Sequence, residues 1–146
     1  MIIGKLGSRR RIQANVGDTP PFIMIVDDDD DIRSTLGELL EHMEFDVAAA
    51  SDGLDALKML RKGARPDVIF LDLMMPVMDG YEFLVELRSR AALAAIPIVI
   101  ITAAGNARGE AAKLGAAGHL QKPFKLDELL ATIERIRDGA STTSAE

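Results

Sequence analysis

From residue 22 onward, the chain carries short and nearly continuous apolar runs that are separated by longer segments of mixed polarity. Continuous apolar runs of this length are typical of parallel strands that are buried on both faces. The predicted strands are residues 22–26, 45–49, 67–71, 96–101 and 117–120. The second is the weakest of them, because alanines stand there in place of larger apolar residues.

Amphipathic helices are predicted between and after these strands, since apolar residues recur there at helical spacing. The predicted helices begin near Asp31, Ser51, Asp79, Gly105 and Leu126. The fourth is weak because its glycines disfavour a helix, whereas the last, over residues 126–137, is strong. Strict alternation of strands and helices predicts an α/β fold in which helices cover both faces of a five-stranded parallel sheet.

The compact part of the chain is predicted to be one domain, because 146 residues suffice for a single core. We divide the chain into a flexible basic extension at residues 1–20, a domain at residues 21–138 and a polar tail at residues 139–146. No apolar run is long enough for a membrane span, and the first residues lack the apolar core of a secretory signal. A cytoplasmic protein is therefore expected.

Composition and charge exclude several classes of function. Without cysteine the chain has no disulfide, no cysteine–zinc site and no cysteine nucleophile, and two histidines disfavour a histidine-rich metal site. The formal charge is −6, and because residues 1–20 hold four basic side chains and one acidic side chain, the remainder carries −9. Such an acidic body lacks the basic face that nucleic-acid phosphates require.

Polar residues stand where the predicted strands end. Three aspartates at residues 27–29 follow the first strand, Asp72 follows the third, Thr102 the fourth, and Lys122 and Pro123 the fifth. The carboxyl ends of parallel strands lie at one edge of the sheet, and open α/β folds bind their ligands at that edge. We therefore expect these side chains to share one pocket.

A pocket with several carboxylates and one ammonium group has an electrostatic requirement. Two carboxylates about 4 Å apart repel by roughly 4 kcal/mol at an effective dielectric constant near 20, so that crowding favours a cation among them. Oxygen ligands without histidine or cysteine suit Mg²⁺ or Mn²⁺. Lys122 and Thr102 suit the oxygens of a phosphoryl group, and a carboxylate is then the obvious acceptor.

Four sequence runs at these strand ends resemble the signatures of a known family. The runs are IMIVDDDDDIR, VIFLDLMMPVMDG, IVIITAAG and HLQKPF, in this order within residues 22–137. They are similar to the receiver domain of two-component response regulators, in particular to the stand-alone, chemotaxis-regulator-like type. Together with the alternation of strands and helices, the resemblance predicts a doubly wound, flavodoxin-like sheet in the order 2-1-3-4-5.

The resemblance implies roles for the acidic residues. Asp27 and Asp28 would hold Mg²⁺, for which Mn²⁺ can substitute. Asp72 would be both the phospho-acceptor and a metal ligand, and Met74 would lend its backbone carbonyl to the ion. The three aspartates that follow Asp28 are expected to form a solvated helix start, with the last of them near the helix cap.

The resemblance also implies roles at the later strand ends. Thr102 and Lys122 would bind the phosphoryl oxygens, and Pro123 would follow a cis peptide bond. His119 stands where the family usually has Tyr or Phe, so Thr102 and His119 are the expected switch residues. The spacing of 20 residues between Thr102 and Lys122 is shorter than in the family's commonest form.

The implied function is signalling by phosphorylation. A sensor histidine kinase or a histidine phosphotransfer protein would donate a phosphoryl group to Asp72, and the domain would catalyse only its own phosphorylation and dephosphorylation. The added charge would shift the protein between two packings and change its preference for an unknown output protein. We expect a monomer or weak homodimer without direct contact to nucleic acid or membrane.

Other assignments stay open or are disfavoured by particular residues. A receiver fragment of a larger regulator or hybrid kinase stays open, as does a pseudo-receiver that is not phosphorylated. A phosphatase of the haloacid dehalogenase type requires a second aspartate two positions after its nucleophile, where this chain has Met74. A flavodoxin-like FMN protein requires a hydroxyl- and glycine-rich loop after the first strand, where this chain has five aspartates.

Overall fold

The computed structural model describes residues 20–103 and 105–145, with side chains described as far as residue 138. Five parallel strands form one sheet in the order β2-β1-β3-β4-β5. The strands are β1 (Phe22–Val26), β2 (Asp46–Ala50), β3 (Val68–Asp72), β4 (Ile98–Thr102) and β5 (Gly118–Gln121). This topology confirms the predicted doubly wound, flavodoxin-like order.

Five helices connect or follow the strands in the described part of the chain. They are α1 (Asp30–His42), α2 (Gly53–Arg61), α3 (Gly80–Arg88), α4 (Ala107–Leu114) and α5 (Leu126–Ala145). Helices α1 and α5 pack on one face of the sheet, whereas α2, α3 and Ala111 of α4 pack on the other. The two apolar layers confirm the prediction that helices cover both faces.

Strands β1, β3 and β4 form the buried centre of the sheet. All residues of β3 and β4 are buried. Alternate residues of β1 face opposite helical layers, with Met24 on one side and Ile23 and Ile25 on the other. Complete burial of such side chains contributes about 1.5–3 kcal/mol each. Strand β2 lies at an edge and is partly exposed, which explains its weaker apolar pattern.

The run of aspartates after β1 caps and begins α1. Asp29 is the N-cap, and its Oδ1 accepts hydrogen bonds from the backbone N–H of Asp31 at 2.9 Å and of Ile32 at 3.2 Å. Asp31 lies two residues after this cap in the first turn, which agrees with the prediction that it lies near the helix cap. Consecutive aspartates are equally good caps by type, so the position at which β1 ends decides which one is used.

Helices α2 and α3 also begin with an aspartate cap at the carboxyl edge of the sheet. Asp52 Oδ1 accepts a hydrogen bond from the Asp55 N–H at 2.8 Å, which confirms the predicted start of α2. Asp79 and Glu82 form a reciprocal capping box at the start of α3. These caps fix the loops that lead from the strand ends into the helices.

The last helix is longer than predicted. The backbone of α5 continues to Ala145, so the predicted helix end at Arg137 is corrected. The division into a domain and a polar tail at residues 139–146 stays a prediction. One glycine at residue 139 costs a helix about 1 kcal/mol, and no proline follows it, so the sequence lacks a strong stop signal.

Within residues 20–103 and 105–145, no helix has the length and apolar character that crossing a membrane requires. The predicted basic extension lies outside the described residues, except for Pro20.

Candidate functional site

Predicted site residues come together at the carboxyl edge of the sheet. Asp72 closes β3 and Thr102 closes β4, and their exposed fractions are only 5% and 1%. Asp27 follows β1 directly and is fully buried. Because β1, β3 and β4 are neighbours in a parallel sheet, residues distant in the chain meet at one rim.

Asp27, Asp28 and Asp72 form an acidic cluster at this rim. One carboxylate oxygen of each residue lies within 4.8 Å of the others. Asp28 is exposed whereas the other two are buried, so that the cluster opens to solvent on one side. Three hard oxygen donors with an open side for water match the ligands that Mg²⁺ prefers.

Lys122 reaches the acidic cluster from the end of β5. Its Nζ lies 2.8 Å from Asp27 Oδ2 and 3.5 Å from Asp72 Oδ2, and its side chain is 16% exposed. Asp27 Oδ2 is thus ion-paired with the Lys122 ammonium and accepts no further hydrogen bond among the described residues. This buried oxygen retains the capacity to accept a cation, so the residues at the rim fit a divalent metal ion.

The charges at the rim shift the pKa of two groups. Burial, followed by the negative charge of Asp27, raises the pKa of Asp72 to about 6. The Met74 N–H and the Lys122 ammonium oppose this increase without cancelling it. Burial disfavours the charged form of Lys122, but the two carboxylates outweigh burial and raise its pKa above the ordinary value. Any further positive charge that reaches the rim would therefore stabilise the charged form of Asp72.

The loop after β3 is held close to Asp72. Asp72 Oδ1 accepts a hydrogen bond from the Met74 N–H at 3.2 Å, and the Met74 side chain is exposed. Gly80 donates its N–H to the Leu73 carbonyl at 3.1 Å. A Cβ at Gly80 would lie 2.7 Å from the Asp72 carbonyl oxygen, so only glycine fits this contact. Sequence reasoning missed this role of Gly80, although the Asp79–Gly80 pair marks the helix start.

The loop after β5 carries Lys122 into the site. The Lys122 N–H donates to the Thr102 carbonyl at 2.9 Å, which ties the ends of β4 and β5 together. The Lys122–Pro123 peptide bond is cis, as the resemblance implies. His119 pairs with Ile100 in the β4–β5 register and is exposed, so it is not among the buried residues of the rim.

Arg33 on α1 is a second residue near the site that sequence reasoning missed. Its Nη1 donates to the Asp27 carbonyl oxygen at 2.8 Å, and the same guanidinium forms an ion pair with Asp30. The helical pattern of α1 identifies its apolar positions and does not predict a role for an arginine. The one sequence signal for Arg33 is that it ends the run IMIVDDDDDIR.

An apolar groove of about 470 Å³ lies beside the rim, between α1 and the loop after β5. Its apolar lining includes Ile32, Leu36, Leu39, Phe124 and Leu126. Lys122 also lines the groove and connects it to the acidic cluster. Leu39 and Leu126 are partly exposed, so the groove presents apolar surface next to the charged residues.

The sequence of the chain matches a family model and several known proteins. A sequence model described as the response regulator receiver domain matches residues 23–134. The transcriptional regulatory protein PrrA of Mycobacterium tuberculosis is 37% identical over 135 residues, which cover 90% of this chain and 57% of PrrA. The response regulator MprA of Mycobacterium leprae is 40% identical over 116 residues, which cover 78% of this chain and 50% of MprA. The chain thus spans about half the length of these relatives.

Solved structures match the fold over most of the chain. The chemotaxis response regulator CheY4 of Vibrio cholerae has a TM-score of 0.73 and 35% identity, covering 81% of this chain and 99% of that chain. The response regulator TrrA of Thermotoga maritima, solved in complex with Mg²⁺-BeF, has a TM-score of 0.69 and 29% identity, covering 80% and 98%. The resemblance in the four sequence runs is thereby confirmed, and the chain belongs to the receiver domain family of two-component response regulators.

Proposed function

We propose that this receiver domain accepts a phosphoryl group on the Asp72 carboxylate and that the modification switches its protein–protein interactions. The observation that carries the proposal is the position of Lys122 Nζ, 2.8 Å from Asp27 and 3.5 Å from Asp72 beside the acidic cluster. A largely buried ammonium group at a rim that opens to solvent suits an incoming group that carries negative oxygens.

The proposed reaction transfers a phosphoryl group from a phosphohistidine. An oxygen of Asp72 attacks phosphorus, the phosphorus–nitrogen bond breaks, and the imidazole nitrogen of the donor keeps the electron pair and takes up a proton. The product on Asp72 is an acyl phosphate, whose oxygens accept hydrogen bonds from the Lys122 ammonium and the Thr102 hydroxyl. Water later attacks phosphorus and releases inorganic phosphate, so the domain catalyses only its own phosphorylation and dephosphorylation. Positioning and charge neutralisation are most of what phosphoryl transfer requires.

We propose that Asp27, Asp28 and Asp72 hold Mg²⁺ together with the backbone carbonyl of Met74. The spacing of the three carboxylates and the burial of Asp27 at the rim support this ligand set. The similar protein TrrA was solved with Mg²⁺-BeF. Bound Mg²⁺ supplies positive charge for the phosphoryl oxygens, and Mn²⁺ can substitute because it accepts the same hard oxygen ligands.

We propose that the phosphodonor is a sensor histidine kinase or a histidine phosphotransfer protein that docks at the apolar groove. Lys122 lines both this groove and the acidic cluster, so a helix seated in the groove would carry its histidine to the rim. Leu39→Asp is expected to abolish transfer from the protein donor but to leave phosphorylation by acetyl phosphate intact. Equal loss with both donors would contradict docking at the groove.

The proposed output has two forms. A stand-alone receiver would bind an unknown output protein, whereas a fragment of a larger regulator or hybrid kinase would act on an attached domain. The chain matches only 57% of the length of PrrA and 50% of that of MprA, so the form with an attached domain is kept as an alternative. A pseudo-receiver without phosphorylation usually lacks an acceptor aspartate, threonine or lysine, whereas Asp72, Thr102 and Lys122 are all present.

The proposed switch uses Thr102 and His119. The buried Thr102 hydroxyl would move toward the phosphoryl group, and the exposed His119 would turn toward the space that Thr102 leaves. A monomer or weak homodimer, a cytoplasmic location and the absence of direct nucleic-acid contact stay predictions. Light scattering of the phosphorylated and unphosphorylated protein tests the oligomeric state.

Intact-mass measurement after incubation with Mg²⁺ and acetyl phosphate tests the proposed acceptor. We expect a gain of one phosphoryl group in the unmodified sequence and no gain in Asp72→Asn. Asp127→Asn, at an exposed position of α5, is the matched control and should gain the group normally. The absence of any gain, with acetyl phosphate and with a phosphorylated donor protein, would contradict the proposal.

A further inference from the structure

Four neighbours hold the polar groups of Asp27, and one of them is Lys122, whose Nζ lies 2.8 Å from Asp27 Oδ2. The Asp27 N–H donates to the Ala50 carbonyl at 3.1 Å, and its Oδ1 accepts a hydrogen bond from the Asp29 N–H at 2.9 Å. Its carbonyl oxygen accepts a hydrogen bond from Arg33 Nη1 at 2.8 Å. This carbonyl belongs to the peptide that joins Asp27 to Asp28, so the arginine bond restrains the rotation of that peptide.

The guanidinium of Arg33 is itself held in place. While Nη1 bonds to the Asp27 carbonyl, Nη2 forms an ion pair with the carboxylate of Asp30. The arginine side chain is 22% exposed and that of Asp30 is 88% exposed, so the arginine is the buried partner of the pair. A planar group with two donors in fixed geometry makes both contacts at once, which a lysine ammonium does not reproduce.

Asp28 depends on its backbone for orientation. Its carboxylate is exposed and belongs to the acidic cluster, yet no hydrogen bond holds it within the described part of the chain. Because side-chain rotamers depend on the backbone dihedral angles, the peptide that precedes Asp28 restricts the directions that this carboxylate can take. Arg33 holds that peptide from α1.

We infer that Arg33 is a positioning residue that orients the Asp27–Asp28 peptide and so preforms the carboxylate pair for a divalent cation. The inference rests on the proposed function, because that function assigns Asp27 and Asp28 to Mg²⁺. Arg33 donates to a backbone carbonyl and does not contact the carboxylates of the cluster, so it acts through the backbone.

Charge and positioning predict opposite effects of Arg33 on Mg²⁺ affinity. A positive charge near the acidic cluster opposes cation binding, so removal of that charge alone would tighten binding. Loss of the carbonyl hydrogen bond frees the peptide and would weaken binding. Arg33→Lys keeps the charge and removes the two-pronged contact, whereas Arg33→Gln removes the charge as well.

Calorimetric titration with Mg²⁺ alone separates these effects. We expect Arg33→Lys to weaken Mg²⁺ binding about fivefold, which corresponds to one hydrogen bond of about 1 kcal/mol. Arg65→Lys is the matched control, because Arg65 donates to the Leu60 and Ala64 carbonyls at 2.9 and 2.7 Å outside the acidic cluster. This control should bind Mg²⁺ with the unmodified affinity. The amide ¹⁵N resonance of Asp28 should shift in Arg33→Lys before any Mg²⁺ is added.

The outcomes distinguish this inference from the proposed function. The positioning role would be overturned if Arg33→Lys bound Mg²⁺ with unchanged affinity. It would also be overturned if Arg33→Gln bound Mg²⁺ more tightly while the Asp28 resonance of Arg33→Lys stayed unshifted. Equal weakening in Arg65→Lys would overturn it as well. If the unmodified protein itself does not bind Mg²⁺, the proposed metal site fails and the inference fails with it. Chemical shifts of the core methyl groups verify that each variant is folded.

Discussion

The first four of the five consecutive aspartates after β1 occupy four different environments. Asp27 is buried beside the Lys122 ammonium, and Asp28 is exposed at the acidic cluster. Asp29 caps α1, and Asp30 pairs with an arginine on the same helix. Identical side chains thus have different roles: one pairs with a lysine, one belongs to the proposed metal site, one caps a helix and one orients an arginine. The roles differ because the backbone directs each side chain differently.

Replacement of Asp72 by asparagine is expected to stabilise the Mg²⁺-free protein at neutral pH. The folded-state pKa of about 6 exceeds the ordinary value of 3.8, so the folded protein binds a proton more tightly than the unfolded chain does. The stability that this provides is fully present below the unfolded pKa and is lost as the pH rises through about 6. We expect Asp72→Asn to add about 2 kcal/mol to the free energy of unfolding near pH 7.5 and much less near pH 4, by urea denaturation. An equal gain at both pH values would contradict the assigned cause.

Lys122 is expected to stabilise the rim when no metal is bound. Lys122→Met would leave the charges of Asp27 and Asp72 without their ammonium partner and reduce the free energy of unfolding by about 2 kcal/mol. Added Mg²⁺ should stabilise this variant more than the unmodified protein, because the cation replaces the missing charge. The exposed Lys125→Met serves as control in thermal unfolding, and an equal response of both variants to Mg²⁺ would argue against this role.

Among elements, the loops after β1, β3 and β5 carry the charged residues, whereas the strands hold those loops in register. The loop after β3 is the most closely packed of them, since Gly80 lies against the backbone of Asp72 and Leu73. Small changes in this packing therefore displace the acceptor residue itself.

Gly80→Ala is expected to destabilise the protein by about 1–3 kcal/mol, because its Cβ would lie 2.7 Å from the Asp72 carbonyl oxygen. Gly37→Ala in α1 is the matched control, because its Cβ meets no atom within 4 Å. That control should stabilise the protein by up to about 1 kcal/mol through helix propensity. Denaturant unfolding of the two variants measures both effects, and destabilisation by both substitutions would contradict the packing argument.

The elements differ in how far the sequence predicts them. The apolar runs of β1 and β4 predict buried parallel strands, and adjacency of the strand ends then predicts the site residues Asp72 and Thr102. The end of α5 was not predictable, because residue 139 is an isolated glycine without a following proline. Arg33 was not predictable either, since its contact depends on the reach of a long side chain from α1 to the Asp27 carbonyl.

For the whole molecule, the sheet order places three acidic residues and one lysine at a single rim. Burial, followed by the negative charge of Asp27, disfavours the charged form of Asp72, as its raised pKa indicates, and a cation bound at the rim would oppose both effects. Two apolar layers pack against the faces of the sheet that ends at this rim. Signalling then requires that the charge added at the rim shifts the balance between two packings of the domain.

Mg²⁺ is expected to raise the stability of the whole domain, because it binds the folded cluster and not the unfolded chain. At a concentration about ten times the Kd, the expected gain in the free energy of unfolding is about 1.4 kcal/mol. Asp28→Asn should reduce this gain, whereas Asp31→Asn in the first turn of α1 should retain it. Thermal unfolding across a Mg²⁺ titration gives the comparison, and a gain that survives Asp28→Asn unchanged would place the ion elsewhere.

Chemical trapping of the acyl phosphate tests the central claim most directly. The protein is phosphorylated with acetyl phosphate and Mg²⁺ and then reduced with borohydride, which converts a phosphorylated aspartate into homoserine. Tandem mass spectrometry of the digested protein locates the converted residue. We expect conversion at Asp72 alone, and only when Mg²⁺ is present. Conversion at another aspartate, or none in the folded and Mg²⁺-bound protein, would contradict it.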